Sequence, residues 1–233
     1  MSSEGPETSR ALSLKRAAKL HQKKFRETER LFLAEGRTLI DEAPGSPLQT
    51  FGDPQDIRRL STLTTPTGPV GVFPYLDNSS DELLVSCDRI VLLYGVQDPG
   101  NVGTVIRAAH AFGAGVALSG GCADLYNPKT VRATMGSIFH APVAREVDTL
   151  DFLDSARGVG YTPIAAVPGG GRNPQEMPAG KLVVVIGSEG AGLPAEVVSA
   201  CEQRVQIPSQ AASLNAAMAA SILLYDAYMR VLP

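Results

Sequence analysis

Residues 90–107 read IVLLYGVQDPGNVGTVIR, a stretch that passes from an apolar run through a polar turn into a helical pattern. Residues 90–94 are apolar or aromatic throughout, as in a strand that is buried on both faces of a parallel sheet. An Asp-Pro-Gly turn follows, and a helix is predicted over 101–112. This helix carries one cation, Arg107, six residues after Asn101. Arg107 is therefore either a surface charge or a functional group.

The alternation of short apolar runs with helical patterns continues to the end of the chain. The runs predict strands at 90–94, 115–119, 143–147, 162–167, 182–186 and 204–207. Helices are predicted at 101–112, 128–138, 149–158, 194–201 and 213–230, the last with Met218, Ile222, Leu223, Tyr225 and Ala227 mostly buried. This order is typical of an α/β fold in which helices cover both faces of a parallel sheet.

Three polar or glycine-rich stretches follow predicted strands, at 98–107, 187–193 and 207–215. The carboxyl ends of parallel strands share one sheet edge, where ligands bind. The glycines of the second stretch run G-x-x-G-x-G, which is not the dinucleotide fingerprint, and the chain has no P-loop sequence. No G-x-S-x-G motif surrounds Ser188. This stretch is either an ordinary strand-to-helix turn or a loop whose glycines let the backbone approach a flat ligand.

The third stretch contains Ser-Leu-Asn at the start of the last helix. Ser213 and Asn215 are residue types that commonly cap helices, and capping is one interpretation of them. The other is that the turn offers backbone groups to a ligand while its side chains hold a neighbouring loop. Glu189 is the one carboxylate of the glycine-rich loop.

Together the three stretches resemble the SpoU/TrmH-like RNA ribose 2′-O-methyltransferases of the SPOUT superfamily. The motifs occur in the family's order, as D-P-x-N-x-G-x-x-x-R, G-S-E-G-x-G-L, and I-P followed by S-L-N and a small-residue helix ending I-L-L-Y. The similarity runs from about residue 86 to 230 and includes N-P-K-T-V-R-A-T-M-G-S at 127–137.

The resemblance implies a parallel-sheet domain over 86–233 with a C-terminal trefoil knot, a rare exception to unthreaded topology. It implies a homodimer that packs through the knot region, with which the apolar last helix is compatible. It also implies that S-adenosylmethionine binds in the knot. The residues expected to bind it are Val167, Gly187, Ser188, Glu189, Gly190, Gly192, Leu193, Ile207, Pro208, Ser213, Leu214 and Asn215.

In this family the residue aligned with Arg107 is the proposed base for the ribose hydroxyl. A guanidinium group normally stays protonated. Either the site perturbs Arg107 strongly, with an RNA phosphate as relay, or Arg107 orients the hydroxyl and stabilises developing negative charge, which we favour. Four residues are expected to hold Arg107 and the loops in register, namely Asn101, Glu189, Ser213 and Asn215. Lys129 and Arg132 are expected to contact RNA phosphate.

The N-terminal part resembles, more weakly, the substrate-binding domain of the same family. We predict a disordered tail over 1–10, and a substrate-binding domain over 11–80 that is abridged between residues 43 and 56. An amphipathic helix from 12 to about 30 would present basic residues to RNA, and the ones assigned to this contact are Lys23, Lys24 and Arg26. A short strand at 31–33, a helix at 38–43, a strand at 70–75 and a linker at 77–81 are also predicted.

The net charge by itself argues against a nucleic-acid binder, but the distribution of charge along the chain suits one. The chain has 233 residues and a net charge of −3, but residues 1–38 hold nine Lys and Arg against five Asp and Glu. Such a basic arm suits phosphate contact, although a solvated helix face is the alternative. The scattered Cys and His residues predict free thiols and no metal site. No apolar run approaches the length of a membrane span, and no signal sequence is evident, so a cytoplasmic protein is expected.

The knot loop departs from the family pattern, because I-P-S-Q-A-A-S-L-N replaces the usual I-P-M-x-G-x-x-x-S-L-N. The change at 209–212 is expected to reshape the cofactor pocket. Two alternatives to an rRNA or tRNA 2′-O-methyltransferase stay open. The altered knot loop motivates the first, a weakly active knotted RNA-binding protein. The shortened N-terminal domain motivates the second, a methyltransferase that acts on a small molecule or peptide.

Overall fold

The computed structural model describes residues 12–230, so the predicted tail at 1–10 lies outside the described residues. Residues 12–74 form a small antiparallel sheet of order β1-β3-β2 with four helices. Its elements are α1 (Leu14–Lys19), α2 (Lys23–Glu29), β1 (Leu31–Glu35), α3 (Arg37–Asp41), β2 (Gln49–Phe51), α4 (Pro54–Leu60) and β3 (Val70–Pro74).

The helix predicted from 12 to 30 is in fact two short helices, α1 and α2, which a turn separates. The Arg26 side chain occupies this break and donates to the carbonyls of Leu20 (2.7 Å) and His21 (2.8 Å). These carbonyls therefore accept from a guanidinium group, whereas in one continuous helix they would accept from backbone N–H groups four residues later. The predictions of β1, α3 and β3 are confirmed, whereas β2 and α4 were missed.

Residues 80–229 form a parallel sheet with helices on both faces, as the sequence predicted. Its elements are α5 (Ser80–Ser86), β4 (Arg89–Tyr94), α6 (Pro99–Ala111), β5 (Gly115–Ser119), α7 (Pro128–Ala133), β6 (Val143–Val147), α8 (Thr149–Gly158), β7 (Thr162–Ala166), β8 (Leu182–Gly187), α9 (Ala195–Ala200), β9 (Gln203–Val205) and α10 (Ala216–Met229). The six strands lie in the order β6-β5-β4-β8-β7-β9, and every neighbouring pair is parallel.

The central strand β4 shows why the apolar runs form this sheet. Ile90 and Leu92 pack into the core on one face, and Val91 and Leu93 pack into the core on the other. All four side chains are fully buried. Because side chains alternate along a strand, a strand covered on both faces needs an unbroken apolar run.

Two predicted elements differ in the structure. The helix predicted over 128–138 ends at Ala133, because Met135 (φ 49°) and Gly136 (φ 96°) adopt left-handed conformations that stop it, and a short 3-10 turn follows. The segment predicted as a linker at 77–81 already contains the start of α5, where Ser79 and Glu82 form a capping box.

The two sheets share apolar packing. Phe32 and Phe73 of the small sheet belong to the same core cluster as Tyr126 of the parallel-sheet domain, and the partly buried Phe139 packs against this cluster. Within 12–230, no helix is both long enough and apolar enough to span a membrane. The cysteines Cys87, Cys122 and Cys201 are free, as predicted.

Candidate functional site

The loops that follow β4 and β8 meet the start of α10 at one edge of the sheet. Because all six strands are parallel, their carboxyl ends lie at this edge, where the sequence predicted that the three stretches would meet. Hydrogen bonds between side chains of Asn101, Glu189 and Asn215 connect them directly. The predicted convergence of these residues is confirmed.

Glu189 is the common acceptor of this network. Its Oε1 accepts from Asn101 Nδ2 at 2.7 Å and from Asn215 Nδ2, and lies 3.4 Å from the backbone nitrogen of Ala216. Asn215 Nδ2 also donates to Asn101 Oδ1 at 3.0 Å. The carboxylate therefore lies at the N-terminus of α10, where the helix dipole favours negative charge.

Two caps place the amides of this network. Asp98 caps α6 by accepting from the backbone nitrogen of Asn101 at 2.9 Å, so the helix starts at Pro99, two residues before the predicted start. Asn215 caps α10 by accepting from the backbone nitrogens of Ala217 (3.0 Å) and Met218 (3.1 Å). Asn215 thus acts in both of the ways considered from the sequence, as a helix cap and as a support for a neighbouring loop.

A cavity of about 360 Å³ lies beside this network. The volume is within the range of small-molecule sites, roughly 300–1,000 Å³. The predicted cofactor-binding residues that line it are Val167, Gly187, Ser188, Glu189, Gly190, Gly192, Ile207, Ser213 and Leu214. The sequence also assigned Leu193, Pro208 and Asn215, which do not line the cavity. It missed, among others, Pro168, Gln206 and Ala216.

The altered segment at 209–212 contributes Ser209, Ala211 and Ala212 to the cavity wall. These side chains are small and exposed. Ser213, which was predicted to hold the loops together, is also exposed and lines the cavity. Within 12–230 its hydroxyl forms no hydrogen bond, so the structure does not include it in the Asn101–Glu189–Asn215 network.

Gly187 is where the glycine-rich loop requires the absence of a side chain. A Cβ atom at this position would lie 2.3 Å from the carbonyl carbon of Gly192 and 2.7 Å from the nitrogen of Leu193. The loop closes tightly through a 2.9 Å hydrogen bond from the nitrogen of Gly192 to the oxygen of Ser188. Gly187 therefore permits a fold-back that exposes backbone to the cavity.

Arg107 lies apart from the network. It is exposed on α6, about 9 Å along the helix from Asn101 at 1.5 Å per residue. In the part of the chain that the structure describes, Arg107 forms neither a salt bridge nor a hydrogen bond. The network fixes the loops and the N-terminus of α6. We expected it to hold the Arg107 side chain as well, but it does not contact this side chain.

The basic residues predicted to contact RNA have different environments. Lys129 is exposed, with its Nζ 3.8 Å from Asp98 Oδ2, and Lys24 is exposed. Arg132 Nη1 donates to the Thr62 hydroxyl at 2.8 Å.

The assignment of Arg26 to RNA is wrong, because this side chain is 2% exposed and forms a salt bridge with Asp124. Lys23 is exposed and forms an ion pair with Glu146 at 3.2 Å. No group of three or more His, Cys, Asp or Glu side chains within 12–230 is placed to bind a metal ion.

Comparison with known proteins connects this site to one family. The family model described as the SpoU rRNA Methylase family matches residues 88–225. A Bacillus subtilis protein named 23S rRNA (guanosine(2553)-2′-O)-methyltransferase is 32% identical over 232 residues, which cover 89% of this chain and 92% of that protein.

Solved structures of similar proteins match nearly the whole chain. The AdoMet-bound rRNA methyltransferase from Sinorhizobium meliloti superposes with a TM-score of 0.84 at 31% identity, covering 94% of this chain and 95% of that one. The SpoU methyltransferase AviRb from Streptomyces viridochromogenes, in complex with AdoMet, superposes with a TM-score of 0.81 at 26% identity, covering 95% and 98%. Such alignments also include most of the residues before β4. This chain therefore belongs to the SpoU rRNA methylase family, which confirms the family that its motifs indicated.

Proposed function

We propose that this protein is an S-adenosylmethionine-dependent methyltransferase that acts on a ribose 2′-hydroxyl of rRNA or tRNA. The observation that carries the proposal is the Asn101–Glu189–Asn215 network, which joins three family motifs beside the 360 Å³ cavity. Relatives named as rRNA 2′-O-methyltransferases support the reaction class. Acting on these RNAs, the enzyme works in the cytoplasm.

The cavity has the features that S-adenosylmethionine requires. The glycines of the loop present backbone to the cavity, and the segment 205–207 also lines it. Ile186, Leu214 and Ala216 supply apolar wall for an adenine ring. Gly187 and the other lining residues of the glycine-rich loop, together with Ile207 and Leu214, would hold the cofactor. When bound, the cofactor supplies an electrophilic methyl group on a sulfonium.

The reaction then depends on how the chain holds the acceptor hydroxyl. Arg107 is a cation on the exposed face of α6, where it orients the 2′-hydroxyl and stabilises the negative charge that develops on its oxygen. The network keeps the first turn of α6 in register with the cavity, so it positions the helix that carries Arg107. Arg107 needs no partner within the chain, because its partner is the substrate.

A trefoil knot in the last third of the chain is part of this proposal. Strand β9 lies outside β7, and Arg172, in the segment that follows β7, forms a bridge with Val205 of β9. Near the C-terminus of α10, Arg230 donates to the carbonyls of Pro174 (2.7 Å) and Met177 (2.9 Å) of that same segment. These contacts support a chain that is wrapped around its own C-terminal helix.

Residues 12–74 form the proposed RNA-binding domain. That this domain is abridged between residues 43 and 56 stays a prediction. A path of polar contacts leads from the site to this domain across α7, because Lys129 is near Asp98 and Arg132 bonds to Thr62. Beyond Thr62, α4 carries Arg58 and Arg59, both exposed. Within 12–230 neither arginine has a salt bridge, so both are available to RNA phosphates.

A homodimer through the last helix completes the proposal. The expectation that α10 is mostly buried is wrong for one face, where four large apolar residues are 40–56% exposed, namely Met218, Ile222, Tyr225 and Met229. Their spacing places them along one stripe of the helix. Because α10 packs against α6, a partner covering this stripe would also lie close to α6, the helix that carries Arg107.

The direct test is to map 2′-O-methylation across cellular RNA in cells that carry either the wild-type protein or Arg107→Ala. One ribose position should be methylated with the wild type and lose its methyl group with the variant. In vitro, Arg107→Ala should lower kcat by about 10²–10³-fold, as expected for loss of a charge-stabilising donor, and leave cofactor affinity unchanged.

A wild-type protein that binds S-adenosylmethionine but methylates no RNA would contradict the proposal. Deleting residues 1–80 separates it from transfer to a small acceptor, since RNA methylation requires the N-terminal domain and small-molecule methylation does not.

A further inference from the structure

Helix α2 faces the parallel-sheet domain with charged side chains that find partners there. Arg145 of β6 makes a two-pronged contact with Glu27, from Nη1 to Oε1 at 2.8 Å and from Nη2 to Oε2 at 3.2 Å. Arg26 and Lys23, whose ion pairs with Asp124 and Glu146 are described above, lie on the same helix. Two of the basic residues that the sequence assigned to RNA, Lys23 and Arg26, thus connect the two domains.

The segment between the domains is held by the same group. The Tyr126 hydroxyl accepts from the backbone nitrogens of Leu76 (2.6 Å) and Asp77 (2.8 Å), and donates to the Asp77 carboxylate at 2.8 Å. Asp77 Oδ2 lies 3.1 Å from Nε of Arg145. The Tyr75 ring stacks on Tyr126 with centroids 3.7 Å apart, and the Arg145 guanidinium lies 4.8 Å from the Tyr75 centroid.

We call this group the interdomain clamp; its members are Lys23, Arg26, Glu27, Tyr75, Asp77, Asp124, Tyr126, Arg145 and Glu146. Arg145 and Asp77 form its centre, with side chains only 12% and 13% exposed. Apolar contacts such as Phe73–Phe139 also hold the domains together, but burial of apolar surface is non-directional. Two-pronged guanidinium–carboxylate contacts have a required geometry, so the clamp is the part of the interface that fixes the angle between the domains.

We propose that the interdomain clamp holds the RNA-binding domain at one orientation to the cofactor cavity, and that Arg145 is a positioning residue for RNA methylation. This inference rests on the proposed function. An RNA that contacts α4 and reaches Arg107 must touch both domains at once. If the domains sample several angles, only a fraction of molecules is competent to bind, and the apparent affinity for RNA falls by that fraction.

The test compares Arg145→Met with Arg157→Met in the full-length protein. Arg157 is a matched control, because it also forms a salt bridge, with Asp154, but lies on α8 outside the clamp. We expect the KM for RNA to rise about tenfold in Arg145→Met, as when the competent fraction falls to about one tenth. The Kd for S-adenosylmethionine should stay at the wild-type value in both variants. The KM for RNA should stay at the wild-type value in Arg157→Met.

Hydrogen exchange provides a readout that does not depend on activity. The amides of Leu76 and Asp77 should exchange slowly in the wild type and at least tenfold faster in Arg145→Met, while the amides of β4 keep their protection. Unchanged exchange at these two amides would overturn the inference, whether or not RNA is methylated. An RNA KM that stays constant in Arg145→Met, with an active wild type, would overturn it as well.

A second variant decides the matter if Arg145→Met does not fold. Glu27→Gln removes one charge at the rim of the clamp and leaves Arg145 paired with Asp77. It should give a smaller rise of RNA KM, about threefold, and a correspondingly smaller acceleration of exchange at Leu76 and Asp77, also about threefold. Wild-type values for both quantities would contradict a positioning role.

Discussion

At the scale of single residues, Glu189 has an unusual task for an exposed carboxylate. It accepts hydrogen bonds from two asparagines that are 114 residues apart in the chain, at the N-terminus of α10. An ordinary surface carboxylate would have water in those places. We infer that the carboxylate holds the glycine-rich loop against the starts of α6 and α10 and thereby shapes the cavity.

Glu189→Ala should therefore weaken cofactor binding. Without the acceptor, the amide groups of Asn101 and Asn215 turn to water and the loop loses its anchor. We expect the Kd for S-adenosylmethionine, measured by calorimetry, to rise about tenfold, which corresponds to about 1.4 kcal/mol. Glu196→Ala, which removes another exposed carboxylate a few residues along the chain, is the control and should bind normally. Equal Kd values for the two variants would show that the network has no part in the site.

The sequence predicted that Asn101, Glu189 and Asn215 act together, but it added Ser213, which is outside the network, and it did not predict the environment of the basic residues. Asn101, Glu189 and Asn215 belong to motifs, and the parallel order of the strands brings such motifs to one edge. Arg26, in contrast, has its ionic partner Asp124 98 residues away in the sequence, and the periodicity of a helix does not report a partner in another domain. A cation with a long-range partner and a free cation have the same sequence pattern.

At the scale of elements, α6 connects the site to α7, the helix that faces the N-terminal domain. It packs so closely on α7 that a Cβ atom at Gly103 would lie 2.4 Å from Cβ of Ala133 and 2.8 Å from the oxygen of Thr130. Neither the Cβ atom of Ala133 nor the backbone oxygen of Thr130 can move away by rotation of a side chain. The distance between the Asn101 end of α6 and the Lys129 end of α7 thus depends on this glycine.

Gly103→Ala should destabilise the protein, although alanine normally stabilises a helix by about 1 kcal/mol relative to glycine. Overpacking costs about 1–3 kcal/mol, so the contact decides the sign. Urea unfolding should show a lower midpoint with an unchanged slope. Thr104→Ala, on the exposed face of the same turn, should change the free energy of unfolding by no more than about 0.5 kcal/mol. A stabilised Gly103→Ala would mean that α6 and α7 can separate at little cost.

Strands were easier to predict than helix ends in this chain. β5 has the predicted bounds, because it is a buried and almost entirely apolar run in the sequence. The edge strand β6 also has its predicted bounds, although its sequence VAREV contains two charged residues. α7 ends early because Gly136 and Met135 turn the chain towards Glu42 of the other domain. The break between α1 and α2 likewise depends on a tertiary contact, the one made by Arg26. Neither contact leaves a periodic signal.

At the scale of the whole molecule, the stability that the interdomain clamp contributes should decrease in acid. The hydrogen bonds from Arg145 hold the pKa of Glu27 below its ordinary value. Burial would raise the pKa of Asp77, but the hydrogen bond from Tyr126 and the charge of Arg145 outweigh it and lower that pKa. Carboxylates with lowered pKa values stabilise the folded state above their ordinary pKa near 4, and this stability is lost as the pH falls through the folded-state values.

We therefore expect the Tm to fall between about pH 5 and pH 3, as the unfolded state takes up more protons than the folded state. Part of this fall should disappear in Arg145→Met, which lacks the cation that lowers both pKa values. Thermal unfolding followed by circular dichroism over this pH range measures both curves, with Arg157→Met as the control. Parallel curves for the wild type and Arg145→Met would contradict the assignment.

The apolar stripe on α10 gives a prediction about assembly. Ile222→Glu places a charge in the centre of the stripe, and burying it against a partner would be costly. The variant should sediment as a monomer and lose RNA methylation, whereas we expect the wild type to sediment as a dimer. Val159→Glu, at an exposed apolar position at the end of α8, should leave sedimentation unchanged. A wild-type protein that is monomeric and active would contradict the proposed homodimer.

The hydrogen bond between Asn101 and Asn215 also has a consequence for biosynthesis. The two residues are 114 positions apart, so a ribosome adding about 5–20 residues per second needs roughly 6–23 s between them. During that time the strand β4 has left the ribosome without the loop and helix that complete the site. A nascent chain consequently lacks the Asn101–Glu189–Asn215 network, and with it a complete cavity, until its last helix has been synthesised.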